Sequence, residues 1–170
     1  MQIRTTPEDH RIAWLTALAI CIHILESAIP SPLPGLKPGL ANVITIAVLL
    51  QYGWHSAAWV SLLRVVCGSL LLGTFLSPTF ILSMGGAVCS VSVLWFACRL
   101  PGKGFGAIGY GVLAALAHMS GQFMLAWLVF IPHAAIWHLF PVLLSAALLF
   151  GIASGIIARS MCSEDAPCKA

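Results

Sequence analysis

The chain has 170 residues, of which 60% are hydrophobic and 8% are charged, and its mean hydropathy is +1.00. Soluble domains carry about 25% charged residues, and a single core of this size could not bury so much apolar surface. The formal net charge of +3 comes from scattered basic residues, a pattern that does not favour nucleic acid as a partner. The composition therefore predicts an integral membrane protein.

Six apolar runs predict six helices and no separate soluble domain, so residues 1–170 are expected to form one membrane domain with short cytoplasmic tails. The first run contains Glu26 and has no clear small-residue cleavage site, which favours a retained helix over a signal peptide. The second is short for a span of ~20 residues. Pro141 predicts a kink in the last. The predicted helices cover residues 12–29, 39–52, 54–73, 79–98, 105–131 and 135–158. The expected fold class is an all-α integral membrane protein, a bundle of six transmembrane helices.

The distribution of Lys and Arg predicts the orientation of these helices. With six spans, both termini share a side with the second and fourth connections. The opposite side carries only Lys37. The shared side carries Arg4, Arg11, Arg99, Lys103, Arg159 and Lys169. Because Lys and Arg are enriched in cytoplasmic loops, we expect a multi-pass protein of the cytoplasmic (inner) membrane with both termini in the cytoplasm.

A few polar side chains lie in or between the spans, away from their cytoplasmic ends. An ionised side chain at a helix centre costs ~2.5–3.5 kcal/mol on insertion scales, so such residues usually have a partner or a function. At ~1.5 Å of rise per residue, they lie at the midplane or in the outer half, below a proline-rich loop at residues 30–38. The predicted substrate-binding residues are Glu26, Lys37, Asn42, Arg64, His118 and Gln122. We expect a cavity open to the outside, with no catalytic residue, metal ion or cofactor.

The three charged residues also have structural explanations. Glu26 and Arg64 are close enough in predicted height to form an ion pair, and pairing alone would account for both. A helix C-terminus is an unfavourable place for an acid, so helix stability does not explain Glu26. Lys37 could extend its ammonium group toward lipid headgroups.

The uncharged residues have such alternatives as well. Asn42 could cap the second helix. His118 and Gln122, one turn apart, could form hydrogen bonds that hold helices together, as polar side chains commonly do in membrane bundles. Gly85 and Gly86, with small residues around them, predict a face for close helix packing.

Several stretches together resemble the Gx transporter family, which is often labelled heptaprenyl diphosphate synthase component I. These are ESAIPSPLPGLKPGLAN at residues 26–42, Arg64, LSMGG at residues 82–86 and HMSGQ at residues 118–122. The resemblance covers roughly residues 12–158, and Pro38 departs from the family pattern. That family is grouped with the substrate-binding S components of energy-coupling factor (ECF) transporters. The resemblance implies a six-helix membrane fold and an uptake subunit for a small vitamin- or precursor-type molecule.

The resemblance also implies partners besides the substrate and membrane lipid. S components present small residues at four-residue spacing to a coupling subunit, and Ala13 and Ala17 have that spacing, although an ordinary Ala-rich helix has it too. The sequence contains no Gly-x-x-x-x-Gly-Lys-Ser/Thr loop, so ATP hydrolysis would need separate ATPases.

The synthase label suggests an alternative function. Prenyl diphosphate condensation needs clustered carboxylates that hold magnesium against diphosphate. The five acidic residues of the chain form no Asp-Asp-x-x-Asp motif. We therefore expect no enzymatic activity, and the alternative is a noncatalytic membrane component of isoprenoid or quinone biosynthesis.

Reporter fusions test the predicted orientation. A reporter fused after Lys103 and one fused after Lys169 should both give a cytoplasmic signal, because both positions follow an even number of predicted spans. A signal from the opposite side of the membrane at either position would contradict the six-span topology.

Overall fold

The structure is a computed structural model that describes residues 7–27, 42–100 and 105–162, without the side chains of Glu8, Glu26 and Ser27. The described residues form six α-helices and no strand. The helices are α1 (Pro7–Ser27), α2 (Asn42–Tyr52), α3 (Trp54–Leu71), α4 (Pro78–Arg99), α5 (Ala107–Leu125) and α6 (Phe140–Met161). The prediction of an all-α chain with six helices is confirmed for this part of the molecule.

Four of these helices are long and apolar enough to cross a membrane. They are α3, α4, α5 with its continuation to Phe130, and α6. The chain is therefore a membrane protein. The helix α2 has only 11 residues, and α1, with 21 residues, is not among the four. The count of six spans stays a prediction.

The connection between α5 and α6 differs from the predicted pair of uninterrupted helices. After Leu125 the chain continues as a π-helical segment, Ala126–Phe130, and a 3₁₀ segment, Ala134–His138, precedes α6. Pro141 lies in the first turn of α6. In this position the missing N–H is not needed and the fixed φ of proline suits the start of a helix. The predicted kink at Pro141 is therefore wrong.

The short helix α2 lies at the centre of the bundle. It contacts α1, α3, α5 and α6, and nine of its residues, from Asn42 to Leu50, are buried. An apolar helix with no polar face is expected to be enclosed on all sides. Asn42, where the described part of α2 begins, is itself buried inside the bundle.

One end of the bundle brings together the start of α1, the α2–α3 turn and the end of α6. Gly53 joins α2 to α3 with φ 89°, a conformation that favours glycine. Arg11 and Leu15 of α1 line a groove with Tyr52 and Ser56. Gln51 donates from Nε2 to the backbone oxygen of Met161 at 3.2 Å. We call this end the basic end, because it also carries Arg99 and Arg159.

Arg99 packs on Trp95, and Trp95 lies beside a second tryptophan, Trp54. Its guanidinium carbon lies 3.9 Å from the centroid of the Trp95 ring. Trp54, at the start of α3, lies 6.4 Å from Trp95 between ring centroids and donates its indole N–H to the Val91 oxygen at 3.2 Å. The C-terminal end of α4 therefore lies beside the α2–α3 turn.

Glycines bring α5 and α6 into backbone contact. A Cβ placed on Gly111 would lie 2.5 Å from the Gly151 oxygen and 2.8 Å from the Gly155 nitrogen. Both neighbours are backbone atoms, so neither can rotate away. On the same helix, the three atoms nearest to a Cβ on Gly109 all belong to the side chain of Phe105, at 3.1 Å and beyond, and that side chain is exposed.

This contrast gives a matched pair of substitutions. Gly111→Ala should destabilise the protein by about 1–3 kcal/mol, because the added methyl forces α5 and α6 apart. Gly109→Ala should be neutral or stabilising by up to ~1 kcal/mol, since alanine favours the helix. Unfolding in detergent measures both, and equal stability of the two variants would contradict the close packing.

Candidate functional site

Arg64 and Asn42 form a buried polar pair between α3 and α2. Arg64 Nη2 donates to Asn42 Oδ1 at 3.2 Å, and the two side chains are 2% and 0% exposed. Asn42 precedes Gly53 by eleven residues and Arg64 follows it by eleven, so the antiparallel helices bring them to the same height. The side-chain oxygen of Asn42 therefore accepts a hydrogen bond from α3.

His118 and Gln122 form a second buried pair within α5. Gln122 Nε2 lies 3.1 Å from His118 Nε2, and both side chains are buried. An amide nitrogen can only donate, so the ring nitrogen accepts this hydrogen bond. This hydrogen bond joins residues four apart on one helix. It does not itself link two helices.

Gly86 places the second pair directly against α4. A Cβ on Gly86 would lie 2.7 Å from Gln122 Cγ and 2.9 Å from His118 Cε1. A Cβ on Gly85 would overlap the Leu125 side chain. The prediction that Gly85 and Gly86 form a close-packing face is confirmed.

All these groups lie at one height in the bundle. Arg64 is seven residues before the last residue of α3, and Gly86 is eight residues after the first residue of α4. At ~1.5 Å per residue these positions differ by only about 1.5 Å along the helices. We call the set of Asn42, Arg64, Gly86, His118 and Gln122 the central polar layer.

Two predicted site residues have no described side chain. Lys37 lies outside the described residues, as does the loop at residues 30–38. The backbone of Glu26 lies in the last turn of α1, and its side chain is not described. His23, three residues earlier on α1, is buried where α1 packs on α3, so close that a Cβ on Gly68 would fall 2.8 Å from its ring.

Sequence reasoning missed several buried polar residues near the layer. The hydroxyls of Thr45, Ser61 and Ser90 are buried and have no hydrogen-bond partner among the described residues. The signal for them was spacing, since they stand three or four positions from Asn42, Arg64 and Gly86. Serine and threonine are so frequent in membrane helices that spacing alone did not single them out.

Arg64 and Asn42 supply the positive charge and a further hydrogen-bond donor of the central polar layer. Its cation, Arg64, lies in a low-dielectric interior, where electrostatic attraction is stronger than in water. Asn42 Nδ2 is buried and without a hydrogen-bond partner among the described residues, so it is a further donor. No group of three or more His, Cys, Asp or Glu in the described part of the chain is placed to hold a metal ion.

These features define a helical membrane protein with a polar layer buried inside its bundle. The chain belongs to the family described as heptaprenyl diphosphate synthase component I, whose model matches residues 15–161. The matched region includes α2 to α6 whole, most of α1, and the entire central polar layer. Comparison with curated proteins and with solved structures gives no match. The predicted family label is confirmed, and the relation to ECF S components stays a prediction.

A double-mutant cycle tests the Arg64–Asn42 hydrogen bond. Asn42→Leu and Arg64→Met should each destabilise the protein, because each leaves a buried polar partner behind. The double variant should lose about 1–3 kcal/mol less than the sum of the two single losses, the range for a hydrogen bond to a charged group. Unfolding in detergent measures all three variants. Strict additivity would show that the two side chains do not interact.

Proposed function

We propose that the chain is a noncatalytic membrane subunit of a prenyl diphosphate synthase system in isoprenoid or quinone biosynthesis. In this proposal the central polar layer binds a ligand with an anionic group and an apolar body. The observation that carries it is the burial of Arg64, which is 2% exposed inside an apolar bundle and bonded to Asn42. Burying a charge in an apolar bundle is costly, so a retained one suggests a function.

The acidic residues support a noncatalytic role. The chain has five, and they are Glu8, Asp9, Glu26, Glu164 and Asp165. Four of these stand in the terminal parts of the sequence, and no cluster of carboxylates for magnesium and diphosphate can be built from the spacing. Condensation chemistry is therefore assigned to a separate subunit. The word "component" in the family description agrees with such a partner.

The charges of the predicted site indicate the sign of the ligand. Arg64 and Lys37 against Glu26 leave a formal charge of +1, which favours an anionic group. The residues around the layer, such as Ile44, Ile46 and Phe123, are apolar and buried, which favours a hydrophobic ligand body.

The proposed orientation places the basic end in the cytoplasm. Arg11, Arg99 and Arg159 lie at that end, and basic residues are enriched on the cytoplasmic side of membrane proteins. Both ends of the described chain then lie on one side of the bundle, as six spans require. The central polar layer lies about 17 Å from the α2–α3 turn at ~1.5 Å per residue, near the middle of the membrane.

The second candidate is a substrate-binding subunit of an uptake transporter with a coupling subunit and ATPases. The outer face of α1 favours a membrane partner of this kind. Ala13 and Ala17 are exposed there beside Trp14 and Leu18. Small residues at this spacing let another helix approach closely.

Co-purification of the tagged chain from its native membrane tests the proposal. We expect a soluble prenyl synthase subunit to co-purify, identified by mass spectrometry. Recovery of a coupling subunit and ATPases instead would contradict the proposal and support the uptake function.

The double substitution Ala13→Leu/Ala17→Leu tests the outer face of α1. It should reduce the recovery of a membrane partner at least about fivefold, which corresponds to ~1 kcal/mol. Ser145→Leu, at an exposed position of α6, is the matched control and should leave recovery unchanged.

A further inference from the structure

We propose that Thr45, Ser61 and Ser90 form a second polar layer that donates hydrogen bonds to a phosphate- or diphosphate-type group of the ligand. We call these three residues the hydroxyl layer. It lies one helical turn from the central polar layer, toward the basic end. The inference rests on the proposed ligand-binding function and specifies the chemistry of the ligand.

The first support is that these hydroxyls are buried and unsatisfied. Their side chains are at most 1% exposed, and no described residue accepts or donates a hydrogen bond to them. A buried hydroxyl without a partner is destabilising, and native structures hold few of them. Such a group is expected to bond to something besides the surrounding helices.

Three other helical serines of this chain behave differently. Ser69 Oγ, on the same helix as Ser61, donates to the backbone oxygen of Val66 at 2.8 Å. Ser145 and Ser160 likewise donate to backbone oxygens three residues earlier. This local bond is the common solution for a serine in a helix. Ser61 and Ser90 do not use it.

The second support is that the helix register brings the three residues to one height. Thr45 precedes Gly53 by eight residues, and Ser61 follows Gly53 by eight. Thr45 stands three positions from Asn42, and Ser61 three positions from Arg64, so each shares a face with its neighbour in the central polar layer. Ser90 stands four positions after Gly86 on α4. The hydroxyl layer is therefore aligned with the central polar layer on all three helices.

The third support is the excess of hydrogen-bond donors. Each hydroxyl can donate, and Asn42 Nδ2, which has no partner among the described residues, is a fourth donor beside the Arg64 cation. Charge-assisted hydrogen bonds to anionic oxygens are stronger than neutral ones. A carboxylate offers two oxygens, whereas a phosphate or diphosphate offers enough to accept from every donor. The arrangement therefore fits the phosphate-type anion best.

Binding measurements on the purified full-length protein in detergent test the inference. The probes are inorganic diphosphate, heptaprenyl diphosphate and, as a dicarboxylate, malonate. Thr45→Val, Ser61→Ala and Ser90→Ala should each weaken diphosphate binding about tenfold, the equivalent of one lost hydrogen bond. Each variant should unfold without ligand at the wild-type temperature or above, because an unsatisfied hydroxyl has been removed. Malonate should bind more weakly than either diphosphate.

Two serine variants serve as controls. Ser69→Ala removes a buried hydroxyl that is already bonded to its own helix. Ser154→Ala removes a buried, unpartnered hydroxyl on α6, outside the hydroxyl layer. Both should bind diphosphate like the wild type. Tighter binding of heptaprenyl diphosphate than of inorganic diphosphate supports a lipid ligand, and equal binding supports the free anion.

The outcomes separate this inference from the function on which it rests. If Arg64→Met loses binding while the three hydroxyl variants bind like the wild type, the hydroxyl layer has no role and the inference is overturned, but the central site stands. Equal binding of malonate would overturn the phosphate-type class. If the wild type binds none of the probes, or Arg64→Met binds them unchanged, the ligand site itself is wrong and the inference falls with it.

Discussion

The burial of Arg64 is the constraint on which the rest of this structure depends. A guanidinium cannot lose its proton in a protein, so it needs hydrogen-bond acceptors wherever the fold puts it. Asn42 supplies one of them, because the turn at Gly53 between α2 and α3 brings the two side chains to the same height.

The polar groups come from two sets of helices. Asn42 and Arg64 belong to α2 and α3, against which α1 packs, whereas Gly86, His118 and Gln122 belong to α4 and α5, and α6 packs on α5. Glycine contacts hold the second set at backbone distance. Each of the two side-chain hydrogen bonds described above lies within one set. The central polar layer thus lies where the two sets meet, a common location for ligand sites in helix bundles.

Much of the fold could be predicted because long apolar runs in a membrane protein directly indicate helices. The end of α2 at Tyr52 was predicted to the residue, since Gly53 interrupts the apolar run there. The predicted kink at Pro141 is wrong, because a proline inside an apolar run does not indicate whether a helix continues through it or begins near it. The pairing of Asn42 with Arg64 required the α2–α3 turn, which sets their common height. Hydropathy does not show which hydroxyls in a helix have hydrogen-bond partners. The burial of Thr45, Ser61 and Ser90 without a partner among the described residues could therefore not be predicted from the sequence.

The proposed function gives the buried polar groups a physical role. In that proposal condensation belongs to a separate subunit, and this chain would hold the two parts of a prenyl diphosphate in separate environments. Arg64 and nearby donors suit the charged group, and the apolar bundle suits the hydrocarbon. Desolvating an anion is costly unless its oxygens are fully hydrogen-bonded. A site in the membrane interior therefore needs several donors around its single arginine, and the unsatisfied hydroxyls one turn below it are placed to supply them.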